Sequence, residues 1–123
     1  MAKILIIDDE ENLQKLVRAN LSARHYQVVL AADGEKGLKT AQKERPDLIF
    51  LDLMMPGMSG WDVLARLKAD NDLKKIPVII MTASIQKAQE ERATGMGAVS
   101  YLIKPFGIEE LMRHVKGALQ FDA

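Results

Sequence analysis

The chain of 123 residues contains no cysteine. That absence excludes disulfides, thiolate catalysis and every zinc or iron–sulfur site built on cysteine. Histidine is nearly absent too. His25 and His114 stand far apart, neither lies in a metal-binding motif, and both are expected to be solvated helix residues. No apolar run approaches the roughly 20 residues of a membrane span. The opening stretch MAKILIIDDEEN meets acidic side chains at once, unlike a signal peptide. Neither sign of charge is in excess: 17 Lys+Arg against 17 Asp+Glu give a formal net charge of zero. The chain therefore has no basic field to draw nucleic acid and no basic amphipathic stretch to draw a membrane surface. The expectation is a soluble cytoplasmic protein that binds neither directly. Linkers and low-complexity stretches are missing as well. What is present, 48% hydrophobic and 28% charged residues, is enough to close one core in one domain.

Short apolar, β-branched runs recur: ILII (4–7), YQVVL (26–30), DLIFL (47–51), PVIIM (77–81) and VSYLI (99–103). Three are nearly continuous in apolar residues, the pattern of a parallel strand buried on both faces. Helical periodicity lies between them. Residues 11–24 set Leu13, Leu16, Val17 and Leu21 on one stripe, and residues 107–119 do the same with Ile108, Leu111, Met112, Val115 and Leu119. Ser59 or Gly60 can cap a helix that carries Trp61, Leu64 and Leu67. Pro46 and Pro77 precede strands, where no ladder hydrogen bond is lost. A β-α alternation repeated five times predicts an α/β domain with a parallel sheet and helices on both faces. Residues 86–94 form the weakest helix, with an apolar face of little more than Ala88 and Ala93. It reads either as a polar surface helix or as an element held loosely enough to shift.

In open parallel sheets, ligands gather at the carboxyl ends of the strands. The first run is followed by Asp8 and Asp9, the third by Asp52, the fourth by Thr82 and the fifth by Lys104 and Pro105; after the second comes AAD. Each of these has an ordinary explanation by itself. The aspartates can open turns or cap helices, Thr82 can be an N-cap, and Lys104 can be a solvated loop residue. Joint delivery of three carboxylates, a hydroxyl and an ammonium to one sheet edge is much harder to assign to chance. Three crowded carboxylates repel one another, and one lysine cannot neutralise them. A hard divalent cation can: Mg²⁺ takes oxygen ligands and keeps waters that phosphate oxygens replace. Asp52 is then a carboxylate able to attack phosphorus and form an aspartyl phosphate, with Lys104 as a point charge and Thr82 as a donor for the phosphoryl oxygens.

The motifs IIDDE (6–10), LDLMMPGMSG (51–60), IIMTA (79–83) and YLIKPF (101–106) together resemble the receiver domain of bacterial two-component response regulators, including the single-domain chemotaxis type. The likeness covers the chain as one receiver domain, residues 1–123 with a core of about 3–119. It implies a flavodoxin-like (βα)5 fold with strand order 2-1-3-4-5, in which the silent second strand lies at an edge away from the site. It also implies that Asp52 accepts the phosphoryl group. Asp9, Asp52 and the backbone carbonyl of Met54 would hold Mg²⁺, with Mn²⁺ able to replace it, and Asp8 would act through a bound water. Lys104 would pair with the phosphoryl group across a cis Lys104–Pro105 bond, Thr82 would move toward it, and Tyr101 would turn into the vacated space beside the small Ala83. The surface formed by helix 86–94, strand 99–103 and helix 107–119 would change accordingly. The implied donor is a sensor histidine kinase, a histidine phosphotransfer protein or a small phosphodonor. The implied target is an output partner protein or an output domain. No turnover enzyme is implied, only Mg-dependent self-phosphorylation and self-dephosphorylation.

Several positions depart from the family's commoner patterns. Met54 and Ser84 stand two residues after Asp52 and Thr82, where the resemblance implies positions that modulate phosphoryl lifetime, and an apolar Met54 side chain cannot orient an attacking water. Val99 and Ser100 stand where DNA-binding relatives carry an acidic pair for dimer salt bridges, so a monomer or a weak phosphorylation-dependent dimer is expected. The chain ends at Ala123, soon after the last helix, so it is either a single-domain receiver or a piece of a longer regulator. A haloacid dehalogenase-type phosphatase is the enzyme alternative, but its D-x-D pattern would need an acid where Met54 stands. GEKGLKT (34–40) lacks P-loop spacing, and in GMG (95–97) Gly95 and Gly97 read as helix-stop and turn residues. A receiver fold used without phosphorylation is the third alternative, against which the complete acid–Thr–Lys set argues.

Overall fold

The computed structural model describes residues 1–83 and 86–120. Strands and helices alternate without exception. They are β1 (Lys3–Ile7), α1 (Glu11–Ser22), β2 (Gln27–Ala31), α2 (Gly34–Glu44), β3 (Leu48–Asp52), α3 (Gly60–Ala69), β4 (Val78–Thr82), α4 (Lys87–Gly95), β5 (Ser100–Ile103) and α5 (Ile108–Gln120). All strand pairings are parallel and the order is β2-β1-β3-β4-β5. This is the expected flavodoxin-like order, with β2 at an edge. Most strands end one residue later than their apolar runs suggest, so Asp52 and Thr82 belong to the strands themselves.

The continuous apolar runs are explained by burial on two sides. Leu5, Ile7, Ile49, Leu51, Val78 and Ile80 face Ala41 of α2 and Val63, Leu64 and Leu67 of α3. Their alternate neighbours Ile4, Ile6, Phe50, Ile79 and Met81 face Val17 and Leu21 of α1 and Leu111 and Val115 of α5. Every residue of β3 and β4 is buried, whereas edge strand β2 is half exposed. Pro46 and Pro77 are buried just before β3 and β4, and Pro77 still contributes its carbonyl to the Ile49 N–H at 3.0 Å.

Three expectations are corrected. Leu16 is 58% exposed; its place on the inner stripe of α1 is taken by Gln14, whose amide donates to the Asp8 carbonyl and adds a second donor to the Ala31 carbonyl. His25 is not helical: it sits past the end of α1 at φ 70°, turning the chain toward β2. His114 does lie on α5, but it is half-buried rather than solvated, with Nδ1 2.9 Å from the Ser100 hydroxyl of β5.

Helix starts follow local chemistry. Ser59 is the N-cap of α3, its hydroxyl accepting from the Asp62 N–H at 3.3 Å, and Asp33 caps α2 by accepting from the Lys36 N–H at 2.8 Å. The thin apolar face expected of α4 is thinner still: Ala93 is its one fully buried residue and Ala88 is exposed. Among the described residues, no helix is long and apolar enough to cross a membrane.

Candidate functional site

Because every strand runs the same way, the carboxyl ends of β1, β3, β4 and β5 open on one edge. β1 delivers Asp8, which is fully buried. Its position is fixed from all sides. The Asp8 N–H donates to the Ala31 carbonyl at 3.1 Å, and its Oδ1 accepts from the Glu10 N–H at 2.8 Å. Its own carbonyl accepts from the Gln14 side-chain amide, which also donates to the Ala31 carbonyl at 3.3 Å. Asp9 follows and is exposed.

β3 delivers Asp52 as its last residue, 5% exposed. Asp52 Oδ1 accepts from the Met54 N–H at 3.0 Å, the short side chain satisfying the backbone as the strand breaks into its turn. Met54 itself is 72% exposed. Beyond that turn, the Gly60 N–H donates to the Leu53 carbonyl at 3.0 Å, which seats the start of α3 on the end of β3.

β5 is followed by Lys104, joined to Pro105 by a cis peptide bond. Its N–H donates to the Thr82 carbonyl at 2.7 Å. Its ammonium reaches three carboxylates: Asp8 Oδ2 at 2.8 Å, Asp52 Oδ2 at 3.3 Å and Glu10 Oε2 at 3.4 Å. Thr82, the last residue of β4, is 1% exposed and registers with Ile103. Ala83 next to it is exposed, and Ser84 lies outside the described residues. Tyr101 is half-buried against the core on the α4 side of the sheet.

The electrostatics follow from burial and crowding. Burial pushes the Asp52 carboxyl above its usual pKa of 3.8; the Met54 N–H opposes this, the neighbouring Asp8 charge adds to it, and Lys104 draws it back. Burial pulls the Lys104 ammonium down, but Asp8 and Asp52 outweigh it and the pKa ends above the usual 10.5. The Glu90 carboxylate, accepting a hydrogen bond, raises the Tyr101 phenol above 10.0.

Among the described residues, Asp8, Asp9 and Asp52 each offer a carboxylate oxygen within 4.8 Å of the other two. An all-oxygen, multiply anionic donor set suits a hard divalent cation and not a soft one. A cation there would also offset the Asp8 repulsion that adds to the effect of burial on the Asp52 carboxyl. The edge is thus an anionic pocket with one fixed ammonium, open on the side of Asp9.

Of the site residues expected from sequence, Asp8, Asp9, Asp52 and Lys104 meet and Thr82 is tied to Lys104 through its carbonyl, while Tyr101 packs on the α4 side of the sheet, Ala83 is exposed and Ser84 lies outside the described residues. Two residues at the site were not anticipated. Gln14 falls at the spacing 14, 17, 21 of the buried α1 stripe, a signal that its polarity hides. Glu10 follows the acid pair directly, yet only the fold brings Lys104 to it.

Comparison with known proteins identifies the family of the fold. The family model described as the response regulator receiver domain matches residues 4–116. The chain is 42% identical over 120 residues to the DNA-binding dual master transcriptional regulator RpaA of Synechocystis sp., covering 98% of this chain and 50% of that protein. It spans about half the length of the curated relatives it matches. Among solved structures it is similar to the chemotaxis protein CheY4 of Vibrio cholerae, with a TM-score of 0.92 and 32% identity over 97% of this chain and 99% of that one. It is also similar to the receiver domain of a sensor histidine kinase from Pseudomonas aeruginosa with a magnesium ion coordinated in the active site cleft (TM-score 0.88, 28% identity, 97% of this chain and 98% of that one).

Proposed function

The chain belongs to the response regulator receiver domain family, and from that membership we propose that Asp52 accepts a phosphoryl group in a Mg²⁺-dependent reaction. The donor is the phosphohistidine of a sensor histidine kinase or phosphotransfer protein, or a small phosphodonor. The observation that carries this reading is the single ammonium of Lys104 shared between Asp8 at 2.8 Å and Asp52 at 3.3 Å, with Asp9 in the same oxygen cluster.

Asp9, Asp52 and the Met54 carbonyl would hold the metal directly, and Asp8 through a water. When bound, Mg²⁺ screens the acids and polarises the phosphoryl oxygens. The protein's own residues do the rest. The Met54 N–H holds the Asp52 carboxylate by Oδ1, which leaves Oδ2 to attack phosphorus. The new bond is Oδ2–P; the bond that breaks joins phosphorus to the donor's imidazole nitrogen, or to oxygen in an acyl phosphate, and its electron pair leaves with the donor. Lys104 already lies beside Oδ2, so its ammonium meets the incoming oxygens without travelling far. Such transfer demands positioning and charge stabilisation above all.

The product adds roughly −1.5 to −2 charge and three acceptor oxygens at the edge. Thr82 supplies a hydroxyl to one of them, and Tyr101 responds to the change at Thr82. The surface formed by α4, β5 and α5 then shifts in population toward a form that an output partner or output domain recognises. The reading is of a switch, not of a turnover enzyme; the acid that a haloacid dehalogenase-type phosphatase needs two residues after its nucleophile is replaced by the exposed Met54.

The test is intact-mass measurement after incubation with acetyl phosphate and Mg²⁺, with Asp52→Asn as control. A gain of one phosphoryl mass, lost in the variant and in chelator, is expected. An equal gain in the variant removes Asp52 as the acceptor.

A further inference from the structure

α4 has almost nothing apolar with which to hold the body of the domain, since Ala93 is its one fully buried residue. Helices normally stay in place through a buried stripe, so the seat of α4 must depend on contacts of another kind. One is evident. The guanidinium of Arg92 lies over the ring of Trp61, 4.2 Å from its centroid. Trp61 is partly buried against the core cluster that includes Ala93, while Arg92 is exposed. The contact therefore joins a surface helix with little buried apolar area to a ring packed against the core.

Trp61 also occupies a particular place in the chain. It is the second residue of α3, directly after Gly60, whose N–H bonds the Leu53 carbonyl and whose Cα side abuts the Asp52 carbonyl. A continuous line of contacts thus runs from the Asp52 backbone through Gly60 and Trp61 to Arg92 on α4.

We propose that the Trp61–Arg92 stack is a latch that biases α4 toward its seated position, and that the end of β3 and α4 communicate through it. The seated and released positions of α4 are the two states of the bistable element, and the latch sets their ratio. The consequence for signalling rests on the receiver reading above, because it treats α4 as part of the responding surface. The latch itself does not require that reading.

Amide hydrogen exchange of residues 88–95 in the unphosphorylated protein tests the latch. Arg92→Gln keeps the helix propensity and removes the cation; Trp61→Leu keeps apolar bulk and removes the ring face. A cation–π contact at an exposed site is worth a factor of about two to five in the seated-to-released ratio. Each variant is therefore expected to exchange about two- to fivefold faster over α4 alone, with α1, α2 and the β1 and β3 amides unchanged. The double variant is expected to be no faster than either single one, since both remove the same contact. Glu91→Gln, a charge change one residue away, is expected to leave exchange unaltered. Wild-type exchange in Arg92→Gln, or additive acceleration in the double variant, overturns the latch. The mass gain at Asp52 is measured in parallel on the same proteins, so failure of the acceptor reading is seen as a missing mass and failure of the latch as unchanged exchange.

Discussion

Gly60 rests directly on the backbone of Asp52. A Cβ added to Gly60 would lie 2.2 Å from the Asp52 carbonyl oxygen and 2.5 Å from the Leu53 Cα. The start of α3 and the end of β3 therefore touch main chain to main chain, with no side chain between them to absorb a change. Any movement at one is felt at the other.

Gly60→Ala is accordingly predicted to destabilise the fold by about 1–3 kcal/mol, the usual cost of overpacking a tight contact. Alanine gains up to about 1 kcal/mol of helix propensity over glycine, which the clash with backbone atoms exceeds. The variant should also show slower mass gain with acetyl phosphate, because the acceptor is displaced. Urea unfolding midpoints and labelling rates check this; an unchanged midpoint would refute the close contact.

Asp52→Asn is predicted to stabilise the protein at neutral pH in the presence of a chelator. The folded-state pKa of Asp52 is raised above 3.8, so the folded chain holds this proton more tightly than the unfolded one. Stability contributed by Asp52 is present below 3.8, falls as pH rises toward the raised folded value, and stays lost above it. The Asn variant escapes that loss. Melting temperatures from about pH 3 to about pH 8 should converge at the acid end and diverge toward neutrality. Added Mg²⁺ should raise the wild-type midpoint more than that of the variant, through binding to the folded state. A variant less stable than wild type at pH 7 in chelator would contradict the assignment.

Gln14→Leu is predicted to cost about 1–3 kcal/mol even though leucine suits a helix stripe. The substitution strips the Asp8 carbonyl of a donor inside the core and removes a second bond to the Ala31 carbonyl. Because Asp8 is held from this side, Mg²⁺-dependent stabilisation should weaken too. Chemical denaturation with and without Mg²⁺ measures both effects. Wild-type values in both would show that the amide is dispensable.

Met54→Asn is predicted to speed loss of the phosphoryl group from Asp52. The Met54 side chain is apolar and 72% exposed beside the site, so it cannot orient an attacking water by hydrogen bonding, whereas an amide can. Time courses of the phosphorylated mass after removal of donor decide the matter, and equal decay in the two proteins would sink the idea.

The sequence by itself determined the alternation of elements, the buried central strands and the identity of the site's chemistry. Periodicity of apolar residues is a local property, and strands such as 48–52 and 78–82 carry it plainly. The one-residue shift of the strand ends and the left-handed turn at His25 were not legible, because ladder pairing and chain reversal depend on neighbours. A polar residue inside the core was hidden in the same way: Gln14 is buried and Leu16 is not, since supplying a donor to the buried Asp8 carbonyl outweighs burying one more leucine. Only the tertiary structure decided which groups share one ammonium. Asp8 and Lys104 are 96 positions apart, and they meet because parallel pairing brings the carboxyl ends of the strands to a common edge; Arg92, in the last turn of α4, likewise reaches Trp61 at the start of α3 only in the folded chain. Residue types set what chemistry is available; the order of strands in the sheet sets which of those residues meet.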